Sequence, residues 1–297
     1  MAGFTVSSLT DFTQKASQMF QASVLFSEDY KKYGMEMNVP YKKSVKYISA
    51  VASIQDYACA LTVSGATTFT EKDIETKHMK FEDSFCIADY KDKGLEDIDV
   101  MKETINSLSN QIKLQTDEMF WVGTSATTFA GLVTQWKADA AVLTSDVSIY
   151  ATGQTLSNTN IDDAIDAIYS NYTPAMRDQG QIVFHMNYKS LDLYRKWVLN
   201  SSAAYGLIDA GVDNTNEYKI YGIPNAIIRA EAYIADNEIY ATYDKNIIRV
   251  YDEKENISGL RLVADPYKPE EVFYIMAQWK FGVSYKFGAE VVRLKNA

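Results

Sequence analysis

The chain has 297 residues, 47% hydrophobic and 13% aromatic, which is enough for one or two packed domains and too apolar for an intrinsically disordered chain. A formal net charge of −10, with one Lys and no Arg in the first 30 residues, argues against holding nucleic acid by neutralising phosphates, which needs clustered Lys and Arg. The longest uncharged run, 119–136, is too rich in Gly, Thr, Ser and Gln for a membrane-spanning helix.

At the N-terminus no basic region precedes an apolar core, so no signal peptide is read and synthesis in the cytoplasm is expected. Residues 8–26 place Leu9, Phe12, Ala16, Met19, Phe20 and Val24 at helical spacing, with Ser7 or Ser8 as a cap, which predicts a short amphipathic arm. Beyond Gly34 and Pro40 the sequence turns rich in Tyr, Val, Ile and Thr. Ser64 and Gly65 supply turn chemistry within it, so extended strands joined by a hairpin are expected. Lys42, Lys43 and Lys46 stud the first strand, either blocking edge pairing of a protruding hairpin or marking a solvated strand face.

From about Leu95 to Phe120, Ile98, Met101, Ile105, Leu108, Ile112 and Met119 recur at helical spacing, and Gln115 breaks the stripe. So thin a seam predicts a helix lying across a sheet along one edge. Gly123 and Gly131 bracket FWVGTSATTFAGL, expected as a turn or close-packed loop, and a second module starts near Trp136. There Asn160 caps a helix carrying Ile161, Ala164, Ile165 and Ile168 on one face, ended by Pro174. A strand over 181–187, a helix over 190–200 and short strands over 218–221, 226–230 and 238–243 follow, predicting a mixed sheet with helices packed on it. The clearest periodicity comes last: Phe273, Ile275, Ala277, Trp279, Phe281, Val283, Tyr285 and Phe287 alternate strictly, so one face of a long strand is buried, with a bend near Gly282 or Gly288.

In this order the parts resemble the major capsid proteins of tailed double-stranded DNA bacteriophages, with the α+β Hong Kong 97-like fold. The segments that carry the resemblance are SGATTFTEKDIETKHMKFEDSFC (64–86), FWVGTSATTFAGL, YGIPNAIIRAE (221–231), IYATYDKNIIRVYDE (239–253) and FYIMAQWKFGVSYKFGAEVVRL (273–294). They are most similar to capsid proteins of phages of Bacteroidota, including the crAss-like group. The resemblance implies an N-terminal arm over 1–39, an extended loop and return strand over 40–85 and a peripheral domain with a spine helix over 86–135. It further implies an inserted axial domain over 136–256 and closing peripheral strands over 257–297. It implies assembly into hexamers and pentamers closing an icosahedral shell around packaged double-stranded DNA without sequence-specific binding, a virion location after assembly in the host cytoplasm, and no membrane. The acidic balance suits a shell filled with DNA by a motor. With only about 40 residues ahead of the extended loop, a separate scaffolding protein is expected, beside a portal and decoration proteins. Expected subunit contacts are Phe12 and Phe20 in the arm, Tyr41, Lys42, Lys43, Tyr47 and Tyr57 in the extended loop, and Leu207, Asp209, Asp213 and Asn216 in an axial loop.

Catalytic, cofactor and metal signatures are not read. Gly123 to Thr127 begin like a nucleophile elbow but lack its second Gly, and neither His78 nor His185 stands in a triad order. Glu96, Asp97 and Asp99 suit the first turn of a helix by its dipole, and Asp213, Asn214, Asn216 and Glu217 lack the spacing of a calcium loop. Cys59 and Cys86 are too few for a disulfide scaffold or thiolate zinc site; the pair recurs in similar capsid proteins and is either reduced or oxidised after lysis. Some such proteins weld subunits through a Lys, but no acceptor matches Lys72 or Lys77. Two other classes remain: an encapsulin-type cellular shell, and a soluble α/β enzyme or ligand-binding protein with a pocket of converging polar groups.

Overall fold

The computed structural model describes residues 34–38, 42–52, 65–86, 97–123, 130–145, 155–200, 217–251, 260–264 and 272–294. Strands β2 (Lys42–Ala52) and β3 (Gly65–Glu75) pair antiparallel along their whole length, from Lys42 opposite Glu75 to Ala52 opposite Gly65. The expected hairpin of two extended strands is present; Gly65 opens the return strand, and Ser64 lies outside the described residues. After the single residue Thr76, the chain continues as β4 (Lys77–Cys86), which leaves the hairpin and pairs with β12 (Val272–Tyr285).

Strand β12 organises the first sheet, whose other members are β1 (Met35–Asn38), β10 (Ile247–Tyr251) and β11 (Leu260–Ala264). Its alternation buries Ile275, Trp279, Phe281, Val283 and Tyr285 on one face, while Tyr274 and Gln278 on the other are exposed. The strand runs unbroken through Gly282, which pairs with Val250, and turns only after Tyr285. Gly34 approaches β10 so closely that a Cβ there would lie 2.2 Å from the Ile247 carbonyl oxygen, and its φ of 72° suits only glycine.

Helix α1 (Asp97–Trp121) packs on the buried face of this sheet through Leu108, Ile112, Met119 and Phe120. At the turn where Gln115 was to break the stripe, Gln115 is exposed and Thr116 takes the buried place; its hydroxyl donates to the Ile112 carbonyl at 2.8 Å. The side chains of Ile98, Met101 and Ile105 lie outside the description. Gly131 then precedes α2 (Leu132–Ala138), and a Cβ there would fall 2.6 Å from the Trp121 backbone, so the two helices meet at close range.

The second sheet has the order β5 (Leu143–Thr144), β13 (Val292–Arg293), β9 (Ile239–Tyr243), β6 (Ile182–Met186), β8 (Ala226–Ala230), β7 (Glu217–Lys219). One face carries Ile182, Phe184, Met186, Ile228, Ile239 and Ala241 under α3 (Ile161–Ser170) and α5 (Tyr188–Asn200). All four apolar residues expected on α3 are buried. Asn160 stands at its N-cap but its Oδ1 accepts the Ser157 amide, three residues upstream. Pro174 does not end α3; it opens α4 (Pro174–Asp178), whose cap is Thr173. The sheets exchange strands across the sequence: β10 lies beside β12 in the first, and the terminal β13 lies beside β9 in the second.

Trp136, fully buried between the two sheets, is expected to carry much of this packing. Trp136→Ala should remove about 3–5 kcal/mol of stability in urea denaturation, and a loss below about 1 kcal/mol would contradict the packing.

Candidate functional site

The hairpin enters the body at its root, where Ile74 and Thr76 are buried. The Lys72 ammonium lies 3.1 Å from the centre of the Tyr285 ring. The Tyr285 hydroxyl donates to Asp139 Oδ2 at 2.5 Å, and Asp139 Oδ1 accepts the Ala141 amide at 2.8 Å. Burial pushes the Lys72 ammonium down to about 8, and the Asp139 charge opposes it. Burial also disfavours the Asp139 carboxylate, but the Tyr285 hydroxyl, the Ala141 amide and the Lys72 charge outweigh it and hold this acid below its ordinary value. Burial, with the bond to Asp139, raises the Tyr285 phenol. At neutral pH a cation, a neutral donor and an anion therefore stand in series.

A second polar group fills the face of the second sheet turned toward α1 and α2. Arg229 on β8 donates to Glu217 Oε1 from Nε at 2.8 Å and to Asp244 Oδ1 from Nη1 at 2.5 Å. His185, beside it on β6, is fully buried, its ring 5.0 Å from that of Trp121 and its Nδ1 3.8 Å from Glu231 Oε1. Burial lowers His185 to about 3, with the Arg229 charge adding to the effect and Asp244 opposing it, so the ring is neutral at physiological pH. Asn246, also buried, donates to Thr242 Oγ1 and the Phe287 carbonyl, both at 3.0 Å, and accepts the amides of Lys286 and Phe287. On the outer surface of α3, burial, then the charges of Asp166 and Asp163, raise Asp162 to about 6.

Of the contact residues expected from sequence, Lys42, Lys43 and Tyr47 lie in β2, opposite Glu75, Ile74 and Thr70. Phe12, Phe20, Tyr41, Tyr57, Leu207, Asp209, Asp213 and Asn216 lie outside the described residues, as do Cys59 and the 124–127 part of the elbow-like segment. His78 is exposed in β4 and His185 is buried, so the two are not brought together. Among the described residues no group of three His, Cys, Asp or Glu could hold a metal ion, and no helix is long and apolar enough to cross a membrane. Sequence reasoning assigned no role to Asp139 or Arg229. Asp139 sits in an unpatterned ADAA stretch, and Arg229 interrupts an apolar strand, which is a signal of a buried ion pair.

No protein-family model and no curated protein matches the chain. Solved structures do. The chain is similar to the capsid of the native GTA particle, with 16% identity and a TM-score of 0.59 over 93% of this chain and 90% of that one. It is similar to the satellite phage P4 procapsid including its size determination protein, with 14% identity and a TM-score of 0.60 over 99% and 93%. A virus-like particle from Pyrococcus furiosus gives 10% identity and a TM-score of 0.55 over 95% and 98%. The likeness is one of fold: the chain has the Hong Kong 97-like fold of phage capsid structures over nearly its whole length.

His185 sets a pH dependence. Its ordinary value is 6.5 and its native one about 3, so between them the unfolded chain binds more protons than the native one. The stability it contributes is complete above pH 6.5 and lost as the pH falls toward 3. His185→Leu should therefore lose stability less steeply than the native chain as urea denaturation is repeated from about pH 6.5 to about pH 4; parallel profiles would contradict the assignment.

Proposed function

We propose that this chain is the major capsid protein of a tailed double-stranded DNA bacteriophage, a non-enzymatic subunit that assembles into hexamers and pentamers and closes an icosahedral shell. The observation that carries this is the two-way coverage: the chain matches shell proteins over at least 90% of itself and of them, with no large part left over on either side. The narrower likeness to capsid proteins of crAss-like phages rests on the sequence segments quoted above.

The hairpin supports the same reading physically. A two-stranded ribbon is marginally stable alone in water, and among the described residues β2 and β3 pair with no third strand. In a shell it would lie over a neighbouring subunit as the extended loop (40–85), with Lys42, Lys43, Tyr47 and Tyr57 at the contact. The arm (1–39) would bring Phe12 and Phe20 to another subunit. Residues 86–135 and 257–297 would form the peripheral domain and 136–256 the axial domain, except that β10 lies in the first sheet beside β12 and the terminal β13 in the second. The loop from Leu207 to Asn216 would meet the symmetry axes. A separate scaffolding protein, a portal and decoration proteins would complete the particle, which would be assembled in the host cytoplasm. Packaged DNA would be held without sequence-specific contacts, consistent with the net charge of −10.

The likeness to the Pyrococcus furiosus virus-like particle favours one second reading, an encapsulin-type compartment. Purified particles separate the two: double-stranded DNA inside marks the virion, a protein cargo the compartment.

Expression of the full chain, alone and with a scaffolding candidate, followed by light scattering and negative-stain electron microscopy, tests assembly. Closed polyhedral particles or hexameric sheets are expected, and a strict monomer under both conditions would overturn the proposal.

A further inference from the structure

Seven residue pairs of the β2–β3 ladder, from Lys46 and Glu71 to Ala52 and Gly65, lie beyond the pair Val45 and Lys72. At roughly 3.3 Å per residue they extend about 23 Å past Lys72, so a tilt of about 10° at the root would move the tip by about 4 Å. What sets that tilt is therefore concentrated near Lys72. On the body side the Tyr285 ring is buried and tied through its hydroxyl to Asp139. Asp139 is in turn confined by Gly288: a Cβ there would lie 2.8 Å from Asp139 Oδ2 and from the Ala141 Cβ. The ring is thus a rigid seat, and the Lys72 ammonium is the hairpin's contact with it.

We propose that Lys72, Tyr285 and Asp139 form a latch that fixes the angle at which the hairpin leaves the body, with Lys72 a positioning residue acting through its charge on the Tyr285 ring. By accepting the phenol's hydrogen bond the carboxylate polarises the O–H bond and pushes electron density into the ring, which enriches the face that receives the cation. Loss of the charge leaves the aliphatic stem packed but removes the attraction that selects one tilt. The latch stands on this subunit's own contacts. Its consequence, that the tilt decides how subunits meet, rests on the shell reading above.

The test is the distance distribution between nitroxides at Thr67→Cys on the hairpin and Ser170→Cys on α3, with Cys59 and Cys86 replaced by Ser, in the dissociated full-length subunit. Lys72→Met should broaden the distribution at least twofold, Lys72→Arg should restore it, and Gly288→Ala, which displaces Asp139 without touching the hairpin, should broaden it also. Equal widths for the native residue, Met and Arg would overturn the latch. So would equal broadening by Met and Arg, since that would mark a packing role and not one of charge. Particle diameter is read separately by electron microscopy. Native-sized particles from a Lys72→Met subunit with a broadened distribution would overturn the consequence for assembly. A narrow native distribution broadened by Lys72→Met, in a chain that never forms particles, would support the latch and overturn the shell.

Discussion

The two sheets are joined through one aromatic knot, and the rest of the structure depends on it. Trp121 ends α1 and Trp136 lies in α2; both are fully buried, with ring centroids 6.4 Å apart. Trp136 reaches Tyr240 of the second sheet at 5.4 Å and Tyr285 of the first at 6.4 Å, while Trp121 lies against His185 of the second. Rings at these separations combine a large apolar area with a preferred geometry, so they fix direction as well as burial. The knot sets how α1 crosses the first sheet, where α2 turns, and where Tyr285 presents its face to the hairpin.

Around the knot the second sheet is built with two unlike faces. Toward α3 and α5 it is apolar, whereas toward the knot it carries His185, Arg229, Glu231 and Thr242, all buried. Within that sheet Arg229 ties β8 to Glu217 of β7 and to Asp244 in the turn after β9, and charges that must meet named partners allow fewer strand arrangements than apolar contacts do. Asn246 does the same at the chain's end, pinning the turn before β10 to the residues after β12. In the proposed shell a subunit would be loaded through many neighbours, and these fixed pairings would resist shear of its body.

Elements with strict period were legible in the sequence. The alternation of β12, the apolar face of α3 and the run 226–230 all emerge where they were expected, because burial on one face imposes the pattern directly. Connections were less legible. Pro174 was expected to stop a helix and starts one, since its fixed φ suits a first turn as well as an end. Of the two places read for a bend, Gly282 has none, because the first sheet pairs it on through β10, while the chain leaves the strand after Tyr285 and turns at Gly288–Glu290. The hairpin was legible as two strands, but its root was not: Lys72, Tyr285 and Asp139 lie far apart in sequence, and no local pattern brings a lysine to a ring across that separation.

For function, the described body is built of two multi-stranded sheets, while the outer hairpin has, among the described residues, only its own two strands. Such a ribbon is marginally stable alone, and in the proposed shell a neighbouring subunit would supply the surface it packs on. The most direct measurement is a cryo-electron microscopy reconstruction of the assembled particle at a resolution that traces strands. The expected result is a hairpin rooted at Tyr285 and lying along the body of the adjacent subunit. A hairpin folded back on its own subunit, or an assembly in which it touches no neighbour, would contradict the central claim.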